Sequence, residues 1–106
     1  MSHDLHYAAE AIGDIAPKLA QLTDEVLFGD VWARTHLSPR ERSLATVSAL
    51  VALNRTAQLP FHFRRARDNG LADAELAELI THLAFYGGWP VAFSALDALR
   101  DTNAEQ

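Results

Sequence analysis

The sequence contains no cysteine among its 106 residues. Disulfide bonds, thiolate metal ligands, cysteine nucleophiles and dithiol redox cycles are therefore excluded. Lys18 is the only lysine, and the formal net charge is −5. Neither the phosphate backbone of a nucleic acid nor an anionic membrane is an expected partner for such a chain.

Long apolar runs are also missing. No stretch approaches the ~18 apolar residues of a membrane-spanning helix, and the N-terminal segment MSHDLHYAAE lacks the basic and apolar regions of a signal peptide. We therefore expect a cytoplasmic protein without a membrane partner. The hydrophobic content of 49% and the charged content of 22% are ordinary for a globular protein, and the length fits one domain over residues 1–106.

No segment shows the apolar alternation of a β-strand, whereas helix starts and stops recur along the chain. Residues 1–14 are a weak helix candidate or disordered. Pro17 starts a helix that Gly29 ends or bends, and the capping box Ser38-Pro39-Arg40-Glu41 starts a helix that runs to about Asn54. Three further helices are predicted from Pro60 to Asn69-Gly70, from Asp73 to Gly87, and from Pro90 to Arg100, after which the last one frays. The predicted fold is therefore all-α, a compact bundle of five to six short helices.

The helix that begins at Pro39 is apolar almost all round, because only Thr46 and Ser48 are polar between Leu44 and Leu53. Such a helix is normally buried at the centre of a fold, and five or six short helices scarcely surround it in so small a chain. We therefore predict an obligate homo-oligomer. The alternative is an ordinary core helix in which a strip of alanines faces solvent, namely Ala45, Ala49 and Ala52.

Two side chains are the main candidates for chemistry. His62 lies between Phe61 and Phe63, so we expect it to be at least half buried, and the ordinary histidine pKa of about 6.5 suits proton transfer at neutral pH. Arg42 lies in the first turn of a buried helix, where a guanidinium needs a carboxylate from the protein or from an anionic ligand. Each also has a purely structural interpretation, as a packed core histidine and as an ion-paired arginine.

A metal site is not expected from the sequence. The ferritin-like di-metal pattern needs Glu-x-x-His on two helices and further carboxylates, and this chain offers one Glu-His pair, Glu78 and His82, at a different spacing. These two residues are one helical turn apart, so they either orient an imidazole or form a surface contact. Tyr86 and Trp89, on either side of Gly87-Gly88, are candidate pocket-lining residues.

The segments RERSLATVSALVALNRTAQLPFH, from Arg40 to His62, and ELITHLAFYGGWP, from Glu78 to Pro90, together resemble the carboxymuconolactone decarboxylase family. This family belongs to the alkylhydroperoxidase D-like superfamily, and the resemblance covers roughly residues 26–99. It implies an all-helical oligomer, a trimer or hexamer, with a buried histidine-containing pocket. If His62 is the histidine of the family, Arg55 and Gln58 occupy the two cysteine positions of the peroxidase branch, so a dithiol peroxidase is excluded.

The resemblance implies a cofactor-independent decarboxylase, or a related proton-transfer enzyme, whose substrate is a small carboxylated lactone such as 4-carboxymuconolactone. In that reaction His62 donates the proton, and Arg42 binds a carboxylate or the developing oxyanion. The implied substrate-binding residues are Arg55, Gln58, Trp32, Tyr86, Trp89 and His82. Neither a metal nor another cofactor is implied. The alternative is a non-catalytic oligomeric member of the family that binds a small organic acid.

Overall fold

The computed structural model describes residues 6–104, and all regular structure in this range is helical. Six α-helices occur here together with a π-helical segment and a 3-10 turn, so the all-α prediction is confirmed. The chain divides into two compact units, residues 1–39 and residues 40–106, each with its own packing. No described helix combines the length and the apolar content that crossing a membrane requires.

The first unit consists of α1 (Tyr7–Ile12), α2 (Pro17–Gln21), the π-helical segment (Leu22–Phe28) and the 3-10 turn (Val31–Ala33). Helix α1 lies within the weak candidate at residues 1–14, the first five of which are outside the described range. Proline begins α2 as predicted, because its missing N–H is not needed in the first helical turn.

Asp24 joins α1 to the π-helical segment. Its side chain is 4% exposed, and its carboxylate oxygens accept hydrogen bonds from the backbone N–H groups of Ala8 (2.8 Å) and Ala9 (2.9 Å). These amides at the start of α1 have no partner within the helix, and a carboxylate satisfies them. The buried side of α2 and the π-helical segment therefore carries Asp24, together with Ala20 and Phe28. The apolar residues at helical spacing in the sequence are instead exposed: Leu19, Leu22, Val26 and Leu27.

The second unit is built from α3 (Pro39–Ala52), α4 (Leu59–Asp68), α5 (Asp73–Gly87) and α6 (Trp89–Ala104). The predicted helix starts are confirmed at α3 and α5, whereas α4 and α6 begin one residue before the predicted prolines, at Leu59 and Trp89. The core of this unit contains residues of all four helices and of one loop: Val47, Val51, Leu59, Phe63, Ala66, Leu71, Leu76, Ile80, Ala84, Ala92, Ala95 and Leu99.

Helix α3 has one buried side within a single chain. Ser43, Val47 and Val51 are buried, whereas Leu53, just past its end, is 63% exposed. The alanine strip Ala45, Ala49 and Ala52 is exposed. This is the arrangement expected of a core helix with a solvent-facing alanine strip, and coverage of that strip by another subunit stays a prediction.

The C-terminal end of α6 is longer than predicted, because Arg67 of α4 holds it. Arg67 donates from Nη2 to Oγ1 of Thr102 (3.0 Å) and to Oδ1 of Asn103, and from Nε to Oδ1 of Asp73 (2.7 Å). Thr102 is 1% exposed, and its hydroxyl donates to the backbone carbonyl of Leu99 across 2.8 Å. The prediction that the helix frays after Arg100 was therefore wrong, because α6 continues to Ala104.

Candidate functional site

The turn between α3 and α4 aligns three of the predicted site residues. Asn54 adopts a left-handed backbone conformation, with φ of 58°, which asparagine tolerates better than most residues. The backbone N–H of Gln58 then donates to the carbonyl of Arg55 (3.2 Å), and that of His62 donates to the carbonyl of Gln58 (3.4 Å). Arg55, Gln58 and His62 therefore follow one another along the backbone at hydrogen-bonded intervals of three and four residues.

His62 is half buried in the first turn of α4, as predicted. Its ring lies 5.0 Å from that of Phe61 between centroids, in an edge-to-face arrangement, and its Nδ1 atom is shielded from solvent. Burial lowers the pKa of His62 below the ordinary value of 6.5, because a desolvated imidazolium is disfavoured. The imidazole of the free protein is consequently neutral at pH 7.

A buried contact fixes the position of Arg42 relative to α4. Ser43, the next residue, is 1% exposed and accepts a hydrogen bond from Nδ2 of Asn69 across 3.0 Å. The start of α3 therefore lies beside the end of α4. His62 precedes Asn69 by seven residues, which at 1.5 Å of rise per residue is about 10 Å along α4. The predicted catalytic pair, His62 and Arg42, thus lies on neighbouring helices at different levels.

Arg65 is the residue that sequence reasoning missed. It is 3% exposed, although it carries a guanidinium. Desolvation lowers its pKa, and the nearby carboxylate of Asp68 opposes that change. Arg65 follows His62 by three residues and precedes Asn69 by four, so the three share one face of α4. The available signal was its position one helical turn after the candidate histidine, in a helix whose Phe63 and Ala66 are apolar.

Three other predicted site residues lie at the end of α5 and the start of α6. His82, Tyr86 and Trp89 are all exposed. The rings of His82 and Tyr86 are 4.9 Å apart, and those of Phe85 and Trp89 are 5.1 Å apart. These residues lie at the same end of the second unit as the turn after α3. Gly87 and Ala52 are in contact there, since a Cβ built on Gly87 would lie 3.5 Å from the Cα of Ala52. The structure thus brings these residues toward Arg55 and Gln58 without enclosing them.

Trp32 belongs to the first unit. It is 8% exposed in the 3-10 turn, and its ring lies 6.1 Å from that of Phe28. Its burial there is accounted for by aromatic packing within residues 1–39. Its predicted part in substrate binding stays a prediction.

A groove of about 530 Å³ between α3 and α5 has an apolar floor and a charged rim. Arg40 on the rim is paired with Glu75, whose carboxylate also accepts the backbone N–H of Ala72 (2.9 Å). These interactions, the Ala72 hydrogen bond first, lower the pKa of Glu75. Glu78 and His82 complete the rim, so the groove carries more negative than positive charge at neutral pH and disfavours an anionic ligand.

The other two described cavities are acidic as well. A cleft of about 350 Å³ beside α6 is lined by Asp97 and Asp101, and a cavity of about 650 Å³ in the first unit by Asp24 and Glu25. No group of three or more histidine, aspartate or glutamate residues within positions 6–104 is arranged to hold a metal ion. None of these three cavities is lined by His62 or Arg42.

Positive charge is concentrated in a different place, the stretch from the end of α3 through α4. Residues 53–71 contain four arginines and one aspartate, a net charge of +3 in a chain whose total is −5. His62 lies in the middle of this stretch. Among the described elements, this is therefore the one whose electrostatics suit a carboxylate ligand beside a group able to transfer a proton.

Comparison with known proteins gives matches over most of the chain. The sequence profile of the carboxymuconolactone decarboxylase family matches residues 17–101. The chain is 34% identical over 87 residues to 4-carboxymuconolactone decarboxylase of Acinetobacter baylyi, and 32% identical over 82 residues to nitrosuccinic acid decarboxylase of Metarhizium robertsii. It is 28% identical over 103 residues to an uncharacterized 15.0 kDa protein of Paracoccus denitrificans, with 95% of this chain and 77% of that protein covered.

The two decarboxylase alignments cover 82% and 77% of this chain but 65% and 57% of the relatives, less than two thirds of either. The profile match includes α2 to α5, the turn with Arg55 and Gln58, and most of α6. It therefore contains both His62 and the arginine-rich stretch. The resemblance of the two sequence segments is confirmed, and the chain belongs to the carboxymuconolactone decarboxylase family.

Proposed function

We propose that the protein is a cofactor-independent decarboxylase of a small organic acid that carries an electron-withdrawing group. The compounds in the names of the two decarboxylase relatives share this chemistry. Both are carboxylic acids, and the group that can accept the electron pair is a lactone carbonyl in one and a nitro group in the other. A carboxylated lactone such as 4-carboxymuconolactone is the substrate we favour.

The observation that carries the proposal is the position of His62. It is a half-buried neutral imidazole, located in the arginine-rich stretch of an otherwise acidic chain. A substrate with two carboxylates is attracted to this stretch, whereas the acidic cavities repel it. The same two negative charges favour the protonated form of a nearby imidazole. Substrate binding should therefore raise the pKa of His62 and take up one proton.

The proposed reaction breaks the bond between the ring carbon and the departing carboxylate. The electron pair of that bond passes through the ring to the lactone carbonyl, which becomes an enolate oxyanion, and CO₂ leaves. His62 in its protonated form then delivers its proton to carbon and returns to the neutral state. One proton is taken up for each CO₂ released, so the step balances without an external oxidant or reductant.

The arginines have different tasks in this scheme. An arginine paired with the departing carboxylate would stabilise the ground state and slow the reaction, because only interactions that strengthen in the transition state accelerate it. We assign Arg65, one turn from His62, to the developing oxyanion, and Arg42, in the first turn of α3, to the carboxylate that is retained. A preorganised donor at an oxyanion is typically worth ~3 kcal/mol of barrier.

The test is CO₂ release from 4-carboxymuconolactone and from 2-nitrosuccinate by the purified protein and by His62→Gln. We expect turnover of at least one compound, reduced about 100-fold or more in the variant, as for the loss of a positioned acid. His36→Gln, which alters an exposed histidine of the first unit, is the matched control and should retain full activity. Equal activity of His62→Gln and wild type would overturn the role of His62.

A second measurement distinguishes the proposed decarboxylase from a non-catalytic protein that binds a small organic acid. If neither compound releases CO₂, isothermal titration calorimetry with the same acids decides between two outcomes. Binding that is weakened by Arg42→Ala would support a non-catalytic member of the family that binds a small organic acid. Absence of both turnover and binding would contradict both functions for these compounds.

A further inference from the structure

A hydrogen bond between two polar side chains joins α3 to α4 inside the second unit. Ser43 is 1% exposed, and its hydroxyl oxygen accepts a hydrogen bond from Nδ2 of Asn69 across 3.0 Å. An apolar pair of the same shape could fill this place at little cost in the free energy of unfolding. Stability alone therefore does not explain why a polar pair is found here.

The two helices otherwise meet through apolar side chains. Val47 of α3 and Phe63 of α4 belong to one apolar core. Apolar packing has no preferred direction, so it tolerates a small shift of one helix along the other. A hydrogen bond, in contrast, requires a donor–acceptor distance of about 3 Å and a nearly linear angle. The bond between Ser43 and Asn69 is therefore the contact that fixes the register of α3 on α4.

The backbone at the end of α4 makes Asn69 a rigidly held donor. The next residue, Gly70, has φ of 98°, and its N–H donates to the carbonyl of Arg67 across 3.0 Å. The N–H of Leu71 donates to the carbonyl of Ala66 across 2.9 Å, and Leu71 is 3% exposed. This pair of bonds, with its buried apolar anchor, is the Schellman motif of helix ends. The amide of Asn69 is consequently fixed from both sides of its own backbone.

Each partner of the bond lies next to a charged residue of the proposed site. Arg42 directly precedes Ser43, and its Nε atom is shielded from solvent. Arg65 precedes Asn69 by four residues, which is about 6 Å along α4. A shift of α3 by a single residue would move Arg42 by about 1.5 Å along the helix axis, and a displacement of about 1 Å is enough to impair a site.

We propose that Asn69 is a positioning residue, which acts through Ser43 to place the guanidinium of Arg42 for the retained carboxylate of the substrate. The inference rests on the proposed function, from which it takes the role of Arg42. The retained carboxylate carries the same charge before and after CO₂ leaves, so Arg42 binds it equally in the ground state and in the transition state. A displaced Arg42 therefore weakens substrate binding and leaves the chemical step largely intact.

The test compares kcat and KM for CO₂ release in wild type and in Asn69→Ala, with the acid that wild type turns over faster. We expect KM to rise about tenfold or more while kcat changes less than about threefold. Arg67→Ala is the matched control. Arg67 lies on the same helix and also donates to a buried hydroxyl, that of Thr102, but it does not contact α3 through this bond. Its loss should destabilise the protein and leave KM unchanged.

A double variant separates positioning from stability. Ser43→Ala/Asn69→Leu replaces the polar pair by an apolar pair of similar shape, which should recover stability relative to Asn69→Ala, because no polar group is left buried and unsatisfied. The directional bond is still absent, so we expect KM to stay raised. Recovery of KM together with stability would show that the pair acts on stability alone.

The position of Arg42 is also measured without a substrate. Because its Nε atom is shielded from solvent, the Nε–H group should exchange slowly with water and give a separate signal in a heteronuclear NMR spectrum of wild type. We expect faster exchange of this group in Asn69→Ala and in the double variant, and no change in Arg67→Ala. If circular dichroism shows that Asn69→Ala does not fold, Ser43→Ala removes the same bond from its acceptor side and replaces it.

Two results would overturn the proposal. One is a folded Asn69→Ala that keeps the KM and the slow Arg42 exchange of wild type. The other is a KM that returns to the wild-type value in the double variant. If wild type releases no CO₂ from either acid, the proposed function fails, and the exchange of Arg42 still decides the positioning: acceleration in Asn69→Ala supports it, and an unchanged rate contradicts it.

Discussion

Asn69 donates a hydrogen bond from Nδ2 to Oγ of Ser43 across 3.0 Å, and the hydroxyl it reaches belongs to a residue that is 1% exposed. The bond joins the end of α4 to the first turn of α3. It thereby sets the level of the face that carries His62 and Arg65 relative to Arg42. Removal of one partner of a hydrogen bond at this depth lowers the free energy of unfolding, because the remaining polar group is left buried and unsatisfied.

Removal of the amide of Asn69 should therefore destabilise the protein. Asn69→Ala leaves the buried hydroxyl of Ser43 without its donor, and we expect a loss of ~1–3 kcal/mol in the free energy of unfolding. Urea denaturation measures this. The double variant Ser43→Ala/Asn69→Ala should be less destabilised than the sum of the single variants, because the unpaired hydroxyl is then absent. Strict additivity would mean that the bond does not couple the two helices.

Arg67 should control the last turn of α6. Arg67→Ala removes the donors to Thr102, Asn103 and Asp73 together, and we expect a loss of ~1–3 kcal/mol, since Thr102 is buried. Amide hydrogen exchange should accelerate most at residues 101–104. Arg100→Ala is the control, because the ion pair of Arg100 with Asp97 is long, at 3.8 Å, and highly exposed. Amide exchange at residues 101–104 should be unchanged in this variant.

His62 should make stability depend on pH in a defined direction. Its pKa is lowered in the folded state by burial, so between that pKa and pH 6.5 the unfolded chain binds a proton that the folded chain does not. The contribution of the neutral buried imidazole to the free energy of unfolding is fully present above pH 6.5. It decreases as the pH falls from 6.5 toward the folded pKa, and no further change occurs below the folded pKa. The free energy of unfolding should therefore fall less between pH 7 and pH 5 in His62→Gln than in wild type.

The comparison is made after the two curves are aligned at pH 8, where both states carry a neutral His62. This alignment removes the change in packing that the substitution causes at every pH. Parallel curves from pH 8 to pH 5 would show that His62 ionises equally in the folded and unfolded states.

Asp24 should be required for α1. Asp24→Ala removes the acceptor of two backbone N–H groups, those of Ala8 and Ala9, and loss of such a cap costs ~1–2 kcal/mol. Hydrogen exchange at residues 8–12 should approach the rate of an unfolded peptide, while the core of the second unit keeps its protection. Glu25→Ala changes the exposed neighbouring carboxylate and should retain α1; equal loss of protection in both variants would contradict the assignment.

The helix starts could be predicted from the sequence because their causes are local. Pro39 and Pro17 define starts within one turn of themselves, and Gly88 marks the break between α5 and α6 through its own backbone. The end of α6 could not be predicted in this way. It depends on Arg67, which lies 35 residues before Thr102 in the sequence.

The candidate site was predictable in part for the same reason. Arg55, Gln58 and His62 lie within two turns of one another, so their alignment follows from the sequence. Burial of Arg65 does not, because a run of arginines at the end of a helix ordinarily indicates a solvated face. A single chain tests neither the roles of these residues nor the cytoplasmic location, and both stay predictions.

The cap that Asp24 provides also orders events in folding. Helix α1 has six residues and no side-chain cap of its own, and a helix so short is not stable in isolation. The carboxylate that completes it follows by 15 and 16 residues, in a segment whose π-helical bond runs from the N–H of Gly29 to the carbonyl of Asp24. Helix α1 should therefore form only together with the segment around Asp24, and it should unravel when that segment opens.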